Sequence, residues 1–134
     1  MLTGGCLCGK VRYRADFAPT LTAVCHCTTC QRQSGSAFSV NVMVPEAKIA
    51  IEGELACFAD TGDSGNAVDR KFCSACGSPI LSAISAMPGV VALKAGTLDD
   101  NAPVKPGVQM FCDSKQAWCE FEGINALPKG FPAS

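Results

Sequence analysis

GGCLCGKVRY, residues 4–13, joins the two signals that decide the fold. Cys6 and Cys8 stand one residue apart, and from Lys10 to Arg14 the chain alternates, with Val11 and Tyr13 on one face and Arg12 and Arg14 on the other. A period of two is that of a half-buried strand. Two cysteines in C-x-C are too close along the chain for a relaxed disulfide ring, whereas two thiolates on one face of an extended segment can share a metal ion. The stretch reads as a strand with a metal-binding turn at its start.

Working outward, two more cysteine clusters follow: Cys25, Cys27 and Cys30 in CHCTTCQ, then Cys73 and Cys76 in CSACGS. Ten cysteines in 134 residues demand either a disulfide framework or metal thiolates. The C-x-C and C-x-x-C spacings favour metal. A structural zinc takes four ligands, while a catalytic zinc commonly takes three and leaves a fourth position open, so seven thiols divide most simply as four plus three. The middle cluster keeps its three thiols within six residues and can bind one ion locally. Cys6, Cys8, Cys73 and Cys76 then close a second site, a staple between the first strand and a knuckle more than sixty residues later. Gly77, directly after Cys76, suits the tight turn there.

Each of these readings has a plainer counterpart. The outer pairs could be small buried core residues. The triad could be a second structural site, closed by Cys57, Cys112 or Cys119. His26, the only histidine, lies between two candidate ligands, where strand alternation points it away from the metal.

The rest of the chain is read as short strands. Ser36 to Val44 places Phe38, Val40, Val42 and Val44 on one side of a period-two pattern before Pro45 ends it. Leu21–Val24, Lys48–Glu52, Glu54–Ala59, Ala67–Phe72, Pro79–Ser85 and Val90–Ala95 are further runs separated by Gly, Pro, Asp or Asn. Such spacing predicts a mainly β, single-domain fold of short antiparallel strands spanning 1–134. Helical signals are limited to one turn at Cys27–Gln33 and another at Ser114–Ala117. DTGDSGN, residues 60–66, reads as a turn with solvated acidic side chains and lacks phosphate-loop spacing.

Composition narrows the function. A net charge of −1 and a pI near 5.7 lack the basic excess that phosphate contacts require, so no nucleic-acid partner is expected. No apolar run approaches the roughly 18 residues of a membrane span, and the first residues do not form a signal peptide. The expectation is a cytoplasmic protein with no membrane partner; its oligomeric state is not legible.

GGCLCGKVRY at 4–13, CHCTTCQRQSGSAFSV at 25–40, DTGDSGNAVDRKFCSACGSPI at 60–80 and AGTLDD at 95–100 together resemble the glutathione-dependent formaldehyde-activating enzymes and the related centromere protein V proteins. The resemblance implies a zinc-stapled β-tent. It implies a structural zinc on Cys6, Cys8, Cys73 and Cys76, and a catalytic zinc on Cys25, Cys27 and Cys30. The sequence departs from the family pattern at Gln109, where many short relatives carry His, and in Cys112 and Cys119, which lie outside its motifs. It also runs only a short way past Phe121, where the founding members continue, so the resemblance carries the zinc ligands further than the glutathione pocket.

The implied activity is carbon–sulfur lyase or synthase chemistry, S-hydroxymethylglutathione formation from the thiol glutathione and the small aldehyde formaldehyde. A free thiol is only a few per cent thiolate at neutral pH, and an open zinc position can take its proton. Arg32, Arg70, Lys71 and Lys94 are candidates for holding substrate carboxylates. The alternative is a non-catalytic zinc-binding interaction module.

Overall fold

A computed structural model describes residues 1–62 and 65–130. Eleven strands run along it: β1 Leu2–Gly5, β2 Arg12–Ala15, β3 Thr22–Cys25, β4 Ser39–Pro45, β5 Ile49–Glu52, β6 Leu55–Thr61, β7 Ala67–Cys73, β8 Pro79–Ile84, β9 Val90–Lys94, β10 Val108–Met110 and β11 Asn125–Ala126. One α-helix, α1, covers Thr28–Ser34. The mainly β expectation is met. Eight of the strands, β2 to β9, fall on the runs read from the sequence, while β1, β10 and β11 do not.

The strands form two sheets. The smaller has the order β1-β2-β5 and is antiparallel; the larger has the order β11-β10-β3-β4-β9-β8-β7-β6, antiparallel except that β10 runs parallel to both β3 and β11. The core lies between them. Val11, Tyr13 and Ala15 of the small sheet and its approach pack with Val42, Val44, Leu81, Val91 and Leu93 of the large one. Because side chains alternate along a strand, burying Val42, Val44, Val91 and Leu93 on this face sends Ser39, Asn41, Ala92 and Lys94 to the other. That second face of the large sheet carries the triad.

The sequence expectations need adjustment in four places. β4 begins at Ser39, and Phe38 does not join the Val40–Val44 face; its ring meets Phe121 edge-on at 5.2 Å and His26 at 6.0 Å. The turn at Cys27–Gln33 extends to the seven residues of α1, ended by Gly35 in the left-handed region at φ 67° with its N–H bonded to the Gln31 carbonyl. The second helical turn lies at Cys112–Ser114 rather than Ser114–Ala117. In DTGDSGN, Asp60 is not simply solvated: it lies near the end of β6, paired with Arg70 at 2.9 Å. Asp63 and Ser64 lie outside the described residues.

Candidate metal centres and active-site cavity

The first centre is built by two turns. Cys6 and Cys8 sit in the turn between β1 and β2, and Cys73 and Cys76 in the turn between β7 and β8. Their sulfurs all lie within 4.8 Å of one another, with Cys6 to Cys8 at 3.6 Å and Cys8 to Cys73 at 3.8 Å. A tetrahedron of thiolates at the usual zinc–sulfur bond of about 2.3 Å requires sulfurs about 3.8 Å apart, so the donor set fits such an ion. Backbone amides support the sulfurs: Val11 N donates to Cys6 Sγ at 3.2 Å, and Ala75 N and Cys76 N to Cys73 Sγ at 3.4 and 3.5 Å. Gly77, at φ 79°, lets the knuckle turn back so that its N–H reaches the Cys73 carbonyl at 2.9 Å. Ser78 bonds to Cys76 Sγ and draws that thiol down to about 5, while Cys8, crowded by the other sulfurs, is pushed up to about 11.

The second centre combines a strand end and a helix start. Cys25 is the last residue of β3, Cys27 caps α1 through a sulfur that accepts from Cys30 N at 3.2 Å, and Cys30 lies in the first turn. All three are buried, and their sulfurs lie within 4.8 Å of one another. Hydrogen bonding among the thiols pushes Cys25 up and Cys30 down, the pattern of crowded sulfurs sharing a negative charge. Among the described residues no fourth Cys, His, Asp or Glu offers an atom to this cluster. Neither Cys57, Cys112 nor Cys119 closes it. His26 is fully buried with Nε2 3.0 Å from Gln109 Oε1, and it is not among the clustered donors.

The triad opens onto a cavity of about 110 Å³. Its apolar cover includes Met110 and Phe111, which pack against the three cysteines; Phe111 holds a left-handed backbone at φ 56°, uncommon for an aromatic residue. Its opposite wall is the second face of the large sheet: Asn41, Arg70, Ser82, Ala92 and Lys94. Lys94 Nζ donates to Asn41 Oδ1 at 2.9 Å, and burial lowers its pKa while the neighbouring Cys30 acts in the opposite sense.

Of the four cations proposed for substrate carboxylates, the structure brings Arg70 and Lys94 to this cavity. Arg32 lies on an outer groove with Thr28, Gln33, Phe58 and Asp60, which shares Arg70 with the cavity. Lys71, one residue along β7, faces the other side of the sheet with Ile49 and Leu81. Ser82 and Asn41 are not singled out by the sequence reading as parts of a site. The available signal is a single polar residue in an otherwise apolar strand, Ser82 in PILSAI and Lys94 in VVALK.

Two sheets stapled at their turns by one cluster of thiols, with a second cluster beside a cavity, define a mainly β protein able to hold metal ions at two sites. Residues 1–114 match the family model of the glutathione-dependent formaldehyde-activating enzymes, and the chain belongs to that family. A Halomonas elongata protein that carries the name of such an enzyme is 26% identical over 128 residues, covering 91% of this chain and 82% of its own. A crystal structure of a Rhodobacter sphaeroides protein matches the fold with a TM-score of 0.60 at 18% identity, covering 78% of this chain and 91% of that one.

Proposed function

We propose that this chain is a zinc-dependent carbon–sulfur lyase or synthase that joins a thiol to a small aldehyde, in the family's terms glutathione to formaldehyde. Cys25, Cys27 and Cys30 hold the catalytic zinc, Cys6, Cys8, Cys73 and Cys76 hold the structural one, and residues 1–134 act as a single cytoplasmic domain. The observation that carries this reading is the three-sulfur cluster, which lacks a fourth protein donor among the described residues and opens on a cavity. A zinc ion held there, with one position left for substrate, supplies the means of keeping a bound thiol deprotonated at neutral pH.

The chain's own groups do the rest. Met110 and Phe111 exclude water over the sulfurs, which strengthens the electrostatics inside. Lys94, buried in the same cavity, offers positive charge and N–H donors where an aldehyde oxygen gains charge as the new C–S bond forms. The outer groove with Arg32 shares Arg70 with the cavity, and it is the place for the remainder of a peptide-sized thiol.

Cobalt(II) substitution tests the reading directly. Glutathione should shift the visible bands of the cobalt protein, and the zinc protein should accelerate exchange between free formaldehyde and S-hydroxymethylglutathione. Unchanged bands together with unaccelerated exchange would leave the non-catalytic zinc module in its place.

A further inference from the structure

We propose that Arg70, Ser82 and Lys94 form a subsite for a carboxylate carried by the small substrate itself, a few bonds from the atom that meets the triad. The proposal rests on the reading of the triad as the reacting centre, and it names the class of compound that centre takes: a short thiol or aldehyde bearing a carboxylate.

The register of the large sheet makes the subsite. Arg70 on β7 is paired with Ser82 on β8, Ser82 with Ala92 on β9, and Lys94, two residues along β9, with Asn41 on β4. Paired residues point to one face with Cβ atoms about 5 Å apart. The four polar side chains therefore make a patch across adjacent strands, and all four line the cavity with the three sulfur-bearing residues. All are buried, at 5% exposure for Arg70, 3% for Ser82, 8% for Lys94 and 6% for Asn41.

Buried cations are costly unless something answers them. Arg70 is answered by Asp60 at 2.9 Å, while Lys94 donates to a neutral amide oxygen. Ser82 Oγ is fully enclosed and has no hydrogen-bond partner among the described residues. A buried hydroxyl without a partner costs about 1–3 kcal/mol, so its place beside two cations in a cavity calls for a ligand acceptor. A carboxylate supplies a charged acceptor for Lys94 in addition to the Asn41 amide, a second acceptor for the Arg70 guanidinium whose Nε is taken by Asp60, and lone pairs for Ser82.

Volume sets the size of the molecule. A cavity of roughly 150 Å³ accommodates benzene, six heavy atoms. The 110 Å³ here suits about four or five, the size of mercaptoacetate or glyoxylate and far short of a tripeptide. Formaldehyde alone would use neither Arg70 nor Ser82.

Calorimetry on the zinc-loaded protein tests this with two matched pairs, mercaptoacetate against 2-mercaptoacetamide and glyoxylate against glyoxylamide. The carboxylate of at least one pair should bind about tenfold or more tighter than its amide, the effect of one charge-assisted hydrogen bond. A preference in the thiol pair places the carboxylate on the thiol; one in the other pair places it on the aldehyde. Lys94→Met and Ser82→Ala should each cut the ratio within the pair. Ser82→Ala removes an unpartnered hydroxyl, so it should melt no lower than the parent, which separates loss of the subsite from loss of fold. No preference in either pair, or one that survives both substitutions, overturns the proposal. The two readings fail separately: a cobalt protein blind to both glutathione and mercaptoacetate while the glyoxylate pair still discriminates removes the thiol chemistry alone, and a responsive cobalt protein with no carboxylate preference removes the subsite alone.

Discussion

Gly4 marks the closest approach of β1 to the rest of the molecule: a Cβ there would lie 2.2 Å from the Thr97 carbonyl oxygen and 2.3 Å from the Tyr13 hydroxyl. Tyr13 is fixed by a 2.7 Å bond to Thr97 Oγ1, so neither neighbour can yield cheaply. Gly4→Ala should cost about 3 kcal/mol, read as a lower urea midpoint of the zinc-loaded protein. Asp60 gives a pH signature. The hydrogen bond from Arg70, helped by the Thr61 N–H, holds its carboxyl below the usual value. A carboxyl whose folded pKa lies below its unfolded one stabilises fully above the unfolded value and loses that contribution as pH falls through the folded one. Asp60→Asn should therefore lower the urea midpoint at pH 7, and its gap to the parent should close as pH drops below about 4. Both residues also show what single positions reveal to a reader of sequence. Cys73 and Cys76 announce their chemistry by spacing, but nothing local to Asp60 says that it will meet an arginine ten positions later.

Among elements, the turns that carry cysteines divide the work. The β1–β2 and β7–β8 turns belong to different sheets, so their shared site ties one sheet to the other. Cys73→Ser should cost several kcal/mol and leave the chain without cooperative unfolding, because the binding energy of such a site is folding energy. Cys27→Ser should behave differently. Serine is itself a good N-cap, so α1 keeps its start while the thiolate is lost. The expected result is a near-parental far-ultraviolet circular dichroism spectrum, one zinc per chain in place of two, and no response to glutathione. Strands were legible where alternation met punctuation, as in β2 and β9. β1 escaped because LTGG has no apolar alternation and is held by register with β2 and an isolated bridge from Gly4 to Leu98. β10, three residues long, exists because β3 and β11 flank it in parallel. Parallel neighbours leave no hairpin signal in the chain between them.

At the scale of the whole molecule, the two centres differ in what their loss would do. Chelation of the zinc-loaded protein should proceed in two steps: first the ion of the three-sulfur site, with little change in circular dichroism, then the ion of the four-sulfur site, with unfolding. Simultaneous release would show that both sites hold the fold. The sequence by itself determined the donor chemistry: seven cysteines in three spacings, their division into four and three, and a chain of short strands to carry them. These are local or coordination-number properties, visible without coordinates. Tertiary structure alone decided which face of the large sheet the triad occupies, that Arg70 and Lys94 but not Arg32 and Lys71 line its cavity, and that Ser82 stands there without a partner among the described residues. The reason is register. A shift of one residue between strands exchanges the faces of every side chain, and register is set by the pairing of strands distant in sequence rather than by any stretch of it.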